Sequence, residues 1–155
     1  MNTEGIYFKM ILETERLILR KWTQDDAESL FTYAKNPKVG PIAGWPPHKD
    51  IESSKYVIDN IFTGAECYAI CEKENNVAFW GRGYMPEAAY VLMKRGFETL
   101  EMTTIWCGYY DGNKKSKRVQ EKLGFIYHHT CDEVPVPLLN EVRVGHTNVI
   151  TKEQW

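Results

Sequence analysis

The 155-residue sequence lacks the features that mark three large classes of protein. No apolar run approaches the ~20 residues that a membrane helix needs, and the opening MNTEGIYFKMILETE has no basic segment followed by an apolar core. Positive charge is not in excess, since 19 Lys and Arg stand against 21 Asp and Glu, for a net charge of −2. We therefore expect a cytoplasmic protein that binds neither a membrane nor nucleic acid.

Cysteine is sparse and does not have the spacing of a zinc site. The cysteines are Cys67, Cys71, Cys107 and Cys131. Neither the first two of them nor the adjacent His128 and His129 match the paired ligands of structural zinc sites, so we expect reduced thiols and no metal. Repeats and low-complexity segments are also absent. A chain of this length with 43% hydrophobic residues predicts a single domain over residues 1–155.

Hydrophobic spacing and turn residues predict alternating strands and helices. Strands are expected at 16–22, 66–71, 77–80, 103–109, 125–130 and 142–151. Helices are expected to begin after Thr23, near Asp50, around Pro86 and at Asn113, with loops at 39–47 and 134–139. The order β-α-α-β-β-α-β-α-β-β predicts an α/β (α+β) domain in which helices flank a mixed central sheet.

A glycine-rich turn opens the third predicted helix. It comprises Gly81, Arg82, Gly83, Tyr84 and Met85. Glycines let several backbone N–H groups point to one place, and a helix N-terminus adds partial positive charge, so the turn could hold a phosphate or pyrophosphate. A tight connection between a strand and a helix explains the same residues. The turn lacks both the Gly-Lys-Ser/Thr of a phosphate-binding loop and the third glycine of a dinucleotide fingerprint.

A second polar motif opens the fourth predicted helix. Asn113 can cap this helix or offer its amide to a ligand, and Ser116 and Lys117 lie on the same side, one turn further on. The alternative is an ordinary N-cap followed by a solvated basic face. One basic turn on a chain with net negative charge makes a nucleic-acid surface the weaker interpretation.

Together these motifs resemble the GNAT acetyltransferase superfamily, and within it the branch of the ribosomal-protein-alanine N-acetyltransferases. The resemblance covers roughly residues 11–151 and includes three motifs in order. They are the opening LETERLILRKWTQDDAESL, the G-x-G at a helix start, and N-x-x-S-x-x-x-x-x-K-x-G-F from Asn113 to Phe125. The resemblance implies the GNAT-like acyl-CoA N-acyltransferase fold and a binding site for acetyl-CoA.

The resemblance also implies roles for individual residues. The backbone of residues 81–85 would hold the CoA pyrophosphate, and Asn113 would contact the pantetheine arm. Ser116 would lie near the sulfur and protonate the leaving thiolate, while Lys117 would meet a CoA phosphate. The acetyl group would pass directly to a primary amine of a small molecule or to a peptide N-terminus. No covalent enzyme intermediate would form.

The chain departs from the family pattern at two single positions. Ala78 stands where many members have Gln or Arg, three residues before the first glycine. Gln120 stands where many have a tyrosine that acts as general acid, which makes Ser116 the better candidate for that role.

The larger departure is the length between the strand at 66–71 and the glycine turn. In the family, two antiparallel strands and their turn lie there, whereas this chain has only the nine residues 72–80. A hairpin needs about 15 residues, so we expect the central hairpin to be shortened or missing. Its loss would open a sheet edge and remove one wall of the acetyl site. Neither Glu72 nor Glu74 is assigned as the general base.

The acceptor cannot be read from the sequence. The acceptor would enter beside the loop Pro41–His48, where Trp45 and His48 could line its path, although a loop anchor and a surface histidine are the more common explanation of such residues. Two other functions stay open: a catalytically impaired acyl-CoA-binding domain of the same fold, and an interaction domain in which the glycine turn is only a turn. The sequence also leaves a homodimer open.

Overall fold

A computed structural model describes residues 11–78 and 82–155 of the chain. Its strands and helices are β1 (Leu12–Glu13), β2 (Leu17–Arg20), α1 (Ala27–Ala34), α2 (Gly40–Ala43), α3 (Ile51–Asn60), β3 (Ala69–Glu72), α4 (Tyr84–Lys94), β4 (Thr104–Tyr110), α5 (Lys114–Lys122), β5 (Ile126–Val136) and β6 (Glu141–Thr151). A wider helical turn, Arg95–Thr99, extends α4. Within the described ranges, no helix combines the length and apolar character needed to cross a bilayer.

The strands form two antiparallel sheets of three strands each, in the orders β1-β2-β3 and β4-β6-β5. The predicted mixture of helices and strands is confirmed, but the single mixed sheet is not: every pair of described strands is antiparallel. β3 and β4 are therefore both edge strands of their sheets. The central hairpin that would stand between them is reduced to a turn.

That turn follows β3 directly. The Asn76 N–H donates to the carbonyl of Glu72, the Glu72 N–H donates to the carbonyl of Val77, and Ala78 forms a single antiparallel bridge with Cys71. The strand predicted at 77–80 is thus only a bridge at Ala78 within the described residues, and 79–81 lie outside them. A returning chain this short cannot pair with the whole of β3.

Helix α4 connects the two sheets. Its first half buries Tyr84 and Ala88 against Leu17 and Leu19 of β2. Its second half and the turn that follows pack Met93 and Phe97 against Ile150 of β6. Burying each large side chain of this kind contributes about 1.5–3 kcal/mol, so one helix fixes both sheets. Because α4 begins beside β3, the glycine turn lies at the edge of the first sheet.

The helices before β3 begin where capping residues predict. Thr23 and Asp26 form the expected capping box, and the side chain of Asp50 accepts the Ser53 N–H at the start of α3. α1 ends at Ala34, just before the Asn36-Pro37 pair, because a residue that precedes proline avoids the helical region. Both helices pack around a shared apolar cluster of Ala27, Leu30, Ala34 and Ile58.

Two predicted loops contain regular structure. The segment at 39–47 includes the short helix α2, and the segment at 134–139 begins with the end of β5. Pro135 lies inside that strand and pairs in register with Val142. β5 is the outer strand of its sheet, and an edge strand can accommodate a residue that has no N–H to donate. Proline at this position therefore does not end the strand.

Candidate functional site

The N-terminus of α4 is open to an approaching anion. Gly83 caps it with φ +72°, a left-handed conformation that favours glycine, and a Cβ added there would meet nothing within 4 Å. No side chain caps this end among the described residues, so the first N–H groups of the helix are left for another acceptor. Met85, in the first turn, is 51% exposed. Gly81, which was expected to contribute as well, lies outside the described residues.

The side chains of Arg82 and Tyr84 turn toward β3. Nη1 of Arg82 is 2.9 Å and Oη of Tyr84 2.6 Å from Oε1 of the buried Glu72 carboxylate. Asn75 donates to the other carboxylate oxygen. The hydrogen bond from Tyr84 is the main cause that lowers the pKa of Glu72. The Glu72 carboxylate is thus ionised and already accepts three hydrogen bonds. We therefore do not assign it as the general base.

The first turn of α5 borders a cavity of about 410 Å³, and both Asn113 and Ser116 line it. Oδ1 of Asn113 accepts the Ser116 N–H at 3.2 Å, so this oxygen caps the helix as predicted. Among the described residues, the amide nitrogen of Asn113 has no hydrogen-bond acceptor. It remains available to a ligand in the cavity.

A buried amide behind this turn holds Ser116 in place. Gln120 is 2% exposed, and its Nε2 donates to Oγ of Ser116 and to the carbonyl of Gly108, each at 3.2 Å. Its Oε1 accepts from Nδ2 of the buried Asn148 at 2.9 Å. Gln120 has no hydroxyl proton to transfer, whereas the Ser116 hydroxyl receives a hydrogen bond and can donate its own proton outward. In the sequence, the i, i+4 spacing of Ser116 and Gln120 is the signal that could have predicted this contact.

Lys117 lies at the rim of a second, adjoining cavity of about 610 Å³. Its Nζ is 3.8 Å from Oε1 of Glu121, and both side chains are more than half exposed. An exposed pair at this distance holds the ammonium only weakly, so Lys117 could turn toward a phosphate.

Trp45 and His48 do not line either of these cavities. Trp45 packs on the apolar cluster of α1 and α3. Nδ1 of His48 pairs with the hydroxyl of the buried Ser54 at 2.8 Å, and burial lowers the pKa of His48. The structure therefore gives these residues an anchoring role. From the same loop, Ala43 reaches the 410 Å³ cavity.

His146 on β6, which the sequence motifs did not single out, lines both cavities. Its Nε2 lies 3.1 Å from Oδ1 of Asp111, and its Nδ1 lies 2.9 Å from Oγ1 of Thr130. The hydrogen bond from His146 is the main cause that lowers the pKa of Asp111. The polar residues in these strands carried no motif that could have revealed this contact.

Part of the chain matches a described protein family. Residues 76–126 match the family described as acetyltransferase (GNAT) domain. The chain is similar to the uncharacterized N-acetyltransferase YoaA of Bacillus subtilis, with 26% identity over an alignment of 148 residues that covers 74% of this chain and 82% of that protein. Because 74% of 155 residues is fewer than 148, the relative has residues inside the aligned region that have no counterpart here.

Solved structures show the same fold. A GNAT-family acetyltransferase from Bacillus anthracis superposes with a TM-score of 0.80 at 19% identity, covering 93% of this chain and 99% of that one. A ribosomal-protein-S5-alanine acetyltransferase from Vibrio fischeri superposes with a TM-score of 0.67 at 15% identity, covering 94% and 98%. The predicted resemblance to the GNAT acetyltransferases is confirmed over residues 76–126 by the domain match, and the fold of the chain is that of solved GNAT-family acetyltransferases.

Proposed function

We propose that this protein is an acetyl-CoA-dependent N-acetyltransferase that transfers the acetyl group directly to a primary amine. The observation that carries the proposal is the first turn of α5, where Asn113 and Ser116 face a 410 Å³ cavity inside a GNAT fold. The open N-terminus of α4 supports it, because a missing Cβ at Gly83 leaves space beside unpaired backbone donors.

Each part of the site has a task in this proposal. Acetyl-CoA supplies the activated acetyl group: the amine nitrogen forms a C–N bond with its carbonyl carbon while the C–S bond breaks. The first N–H groups of α4 stabilise the pyrophosphate charge, and Lys117 is near enough to meet another phosphate. The free amide of Asn113 positions the pantetheine arm. The Ser116 hydroxyl, held by Gln120, donates its hydrogen to the sulfur that carries the departing negative charge.

The acceptor class is proposed as a small-molecule amine or the N-terminus of a protein. The fold shared with a ribosomal-protein-alanine acetyltransferase, together with the sequence resemblance to that branch, makes a protein N-terminus the first acceptor to test. Trp45 and His48 stay candidates for its recognition only through the position of their loop. The four free cysteines support the inference of a reducing, cytoplasmic environment.

A catalytically impaired acyl-CoA-binding domain is the second candidate. The observation that favours it is the five-residue turn after β3: within 11–78 and 82–155, Ala78 alone bridges to the free edge of β3. Such a domain would bind acetyl-CoA and transfer nothing.

Titration calorimetry with acetyl-CoA tests the proposal, and Gly83→Glu is the informative variant. The new carboxylate would stand where the pyrophosphate binds, so we expect a loss of affinity of at least about tenfold. Gly83→Ala is the matched control: it carries the same left-handed strain but no charge, and its Cβ meets nothing within 4 Å, so affinity should stay within about threefold.

Turnover is then measured as acetyl-CoA-dependent mass increase of amines and of peptides with free N-termini. Binding with turnover supports the enzyme. Binding without any turnover supports the impaired domain. Absence of binding by the wild-type protein at high micromolar acetyl-CoA would reject both and leave the interaction domain.

A further inference from the structure

The acetyl-transfer site described so far has a group that faces the leaving thiolate but none that removes a proton from the amine. The Glu72 carboxylate is occupied by Tyr84, Arg82 and Asn75. Among the described residues that line the 410 Å³ cavity, His146 is the one whose side-chain type exchanges a proton near neutral pH. Its position, rather than any sequence motif, makes it the candidate.

We propose that His146, positioned by Asp111, is the general base that accepts the proton of the acceptor amine; this rests on the proposed acetyltransferase function. The side chain of His146 is 20% exposed, so it is shielded but still reachable from the cavity. Strand register places it opposite Tyr109 of β4 on one side and Thr130 of β5 on the other. The Tyr109 ring lies 5.0 Å from the imidazole centroid and restricts its rotation.

The hydrogen bonds fix which nitrogen is basic. The Asp111 carboxylate can only accept, so Nε2 of His146 carries the hydrogen of that 3.1 Å contact. In the neutral ring, Nδ1 then holds the lone pair and accepts from the Thr130 hydroxyl at 2.9 Å. The Thr130 oxygen in turn pairs with Oη of the exposed Tyr127 at 2.9 Å. The basic nitrogen thus ends a chain of hydroxyl groups that leads to solvent.

The transfer balances with these groups. The amine nitrogen forms the bond to the acetyl carbon, the C–S electron pair leaves with the CoA sulfur, and the extra proton on nitrogen passes to Nδ1 of His146, directly or through the Thr130 hydroxyl. Asp111 stabilises the resulting imidazolium through Nε2–H. The proton returns to water along Thr130 and Tyr127, while the thiolate takes the proton of the Ser116 hydroxyl, which regains one from water.

The charged and titratable groups around the imidazole come from three elements. Asp111 follows β4 and carries the only carboxylate within hydrogen-bond distance of the ring in the described structure. Tyr109 belongs to β4 and Tyr127 to β5, and the ammonium groups of Lys114 and Lys117 border the adjoining cavity from α5. Asp111 is thus the charged group in contact with the ring, and its replacement tests that contact specifically.

The kinetic test replaces His146 with Gln, which retains a polar side chain without a base. We expect kcat to fall by at least about 100-fold, the usual contribution of a general base, while the dissociation constant for acetyl-CoA changes less than about twofold. His128→Gln is the matched control, because His128 is an exposed histidine on β5 that contacts His129 and Trp106 and lines neither cavity. It should leave kcat unchanged.

The test of the positioning residue is Asp111→Asn. Without the carboxylate, nothing holds the hydrogen of the ring on Nε2, so kcat falls about tenfold or more while the dissociation constant for acetyl-CoA changes less than about twofold. The imidazole ¹⁵N resonances of His146, assigned by their loss in His146→Gln, must show by NMR that Nε2 is no longer the preferred site of the hydrogen in the neutral ring. This readout needs neither acetyl-CoA nor turnover. Thermal melting confirms that each variant is folded.

The outcomes separate the two proposals. Failure of wild-type protein to bind acetyl-CoA rejects the proposed function, whatever the histidine does. If the wild-type protein turns over and folded His146→Gln keeps more than half of its kcat, His146 is not the base. If acetyl-CoA affinity falls as much as kcat, His146 serves binding instead and the inference is overturned. An unchanged position of the ring hydrogen in Asp111→Asn, read from the ¹⁵N resonances, rejects the dyad by itself.

Discussion

The buried side-chain amide of Gln120 links α5 to strands β4 and β6. The loss of stability on its replacement can be estimated. Gln120→Leu keeps the side-chain volume but removes three hydrogen bonds. Nδ2 of Asn148, a residue only 5% exposed, loses the partner of a 2.9 Å bond, and the Gly108 carbonyl loses a side-chain donor. Ser116 remains at the cavity, where water can replace the lost donor.

The magnitude follows from what stays unsatisfied. A buried donor or acceptor left without its partner costs about 1–3 kcal/mol, and two such groups give about 2–6 kcal/mol. The added apolar surface of leucine returns roughly 1 kcal/mol, so we expect a net loss of about 1–5 kcal/mol of unfolding free energy. For a chain of this length each kcal/mol lowers Tm by about 2–4 °C, hence by roughly 2–20 °C in total.

Urea unfolding followed by far-UV circular dichroism measures this loss in Gln120→Leu, in Asn148→Leu and in the double variant. Replacing both partners removes the unpaired donor, so the double variant should be more stable than the sum of the single losses predicts, by about 1 kcal/mol or more. A Gln120→Leu protein within about 0.5 kcal/mol of wild type, or a strictly additive cycle, would refute the reasoning that this amide is a structural link.

Two further predictions concern the first sheet. Asp26→Asn breaks the buried bidentate pair with Arg20 and should cost about 3–5 kcal/mol in urea unfolding. Burial alone would raise the pKa of Asp26, but hydrogen bonds from Arg20 and Thr23 lower it overall, so the stability it provides is present above the ordinary carboxyl pKa and is lost as pH falls through the lowered one. Asp26→Asn should therefore flatten the acid side of the stability–pH curve; an unchanged curve contradicts this assignment. Burial also raises the pKa of the Cys71 thiol to about 11, whereas Cys131 is exposed, so mass spectrometry after brief thiol labelling should find Cys131 modified and Cys71 modified only after unfolding.

Local signals predicted the ends of the helices. The Thr23 capping box, the Asp50 cap and the Asn113 cap each depend on groups within three residues, and the structure has all of them. Gly124 follows α5 with φ +84°, as expected of a residue that ends a helix. Such short-range interactions can be predicted because both partners lie in the same few residues of sequence.

Contacts set by strand register could not be predicted in the same way. Gln120 and Asn148 are 28 residues apart, and Asp111 and His146 are 35 apart. They meet because β4 and β5 both pair with β6, an arrangement that no local pattern specifies. Pro135 is a second example. The local sequence predicts a loop there, but the residue lies in β5, which can accommodate a proline because it is an outer strand of the sheet.

The shortened hairpin acts on one end of the site more than on the other. The cavity beside Ser116 is lined by Ala43 and by residues from 108 to 147, all outside the turn that follows β3. The glycine turn, in contrast, is joined to that turn by the contacts of Arg82 and Tyr84 with Glu72. The proposed pyrophosphate donors belong to the glycine turn, whereas the reacting groups lie at the cavity beside Ser116. We therefore expect the short turn after β3 to weaken the binding of acetyl-CoA before it affects the transfer itself. Lengthening the turn would then lower the KM for acetyl-CoA and leave kcat nearly unchanged.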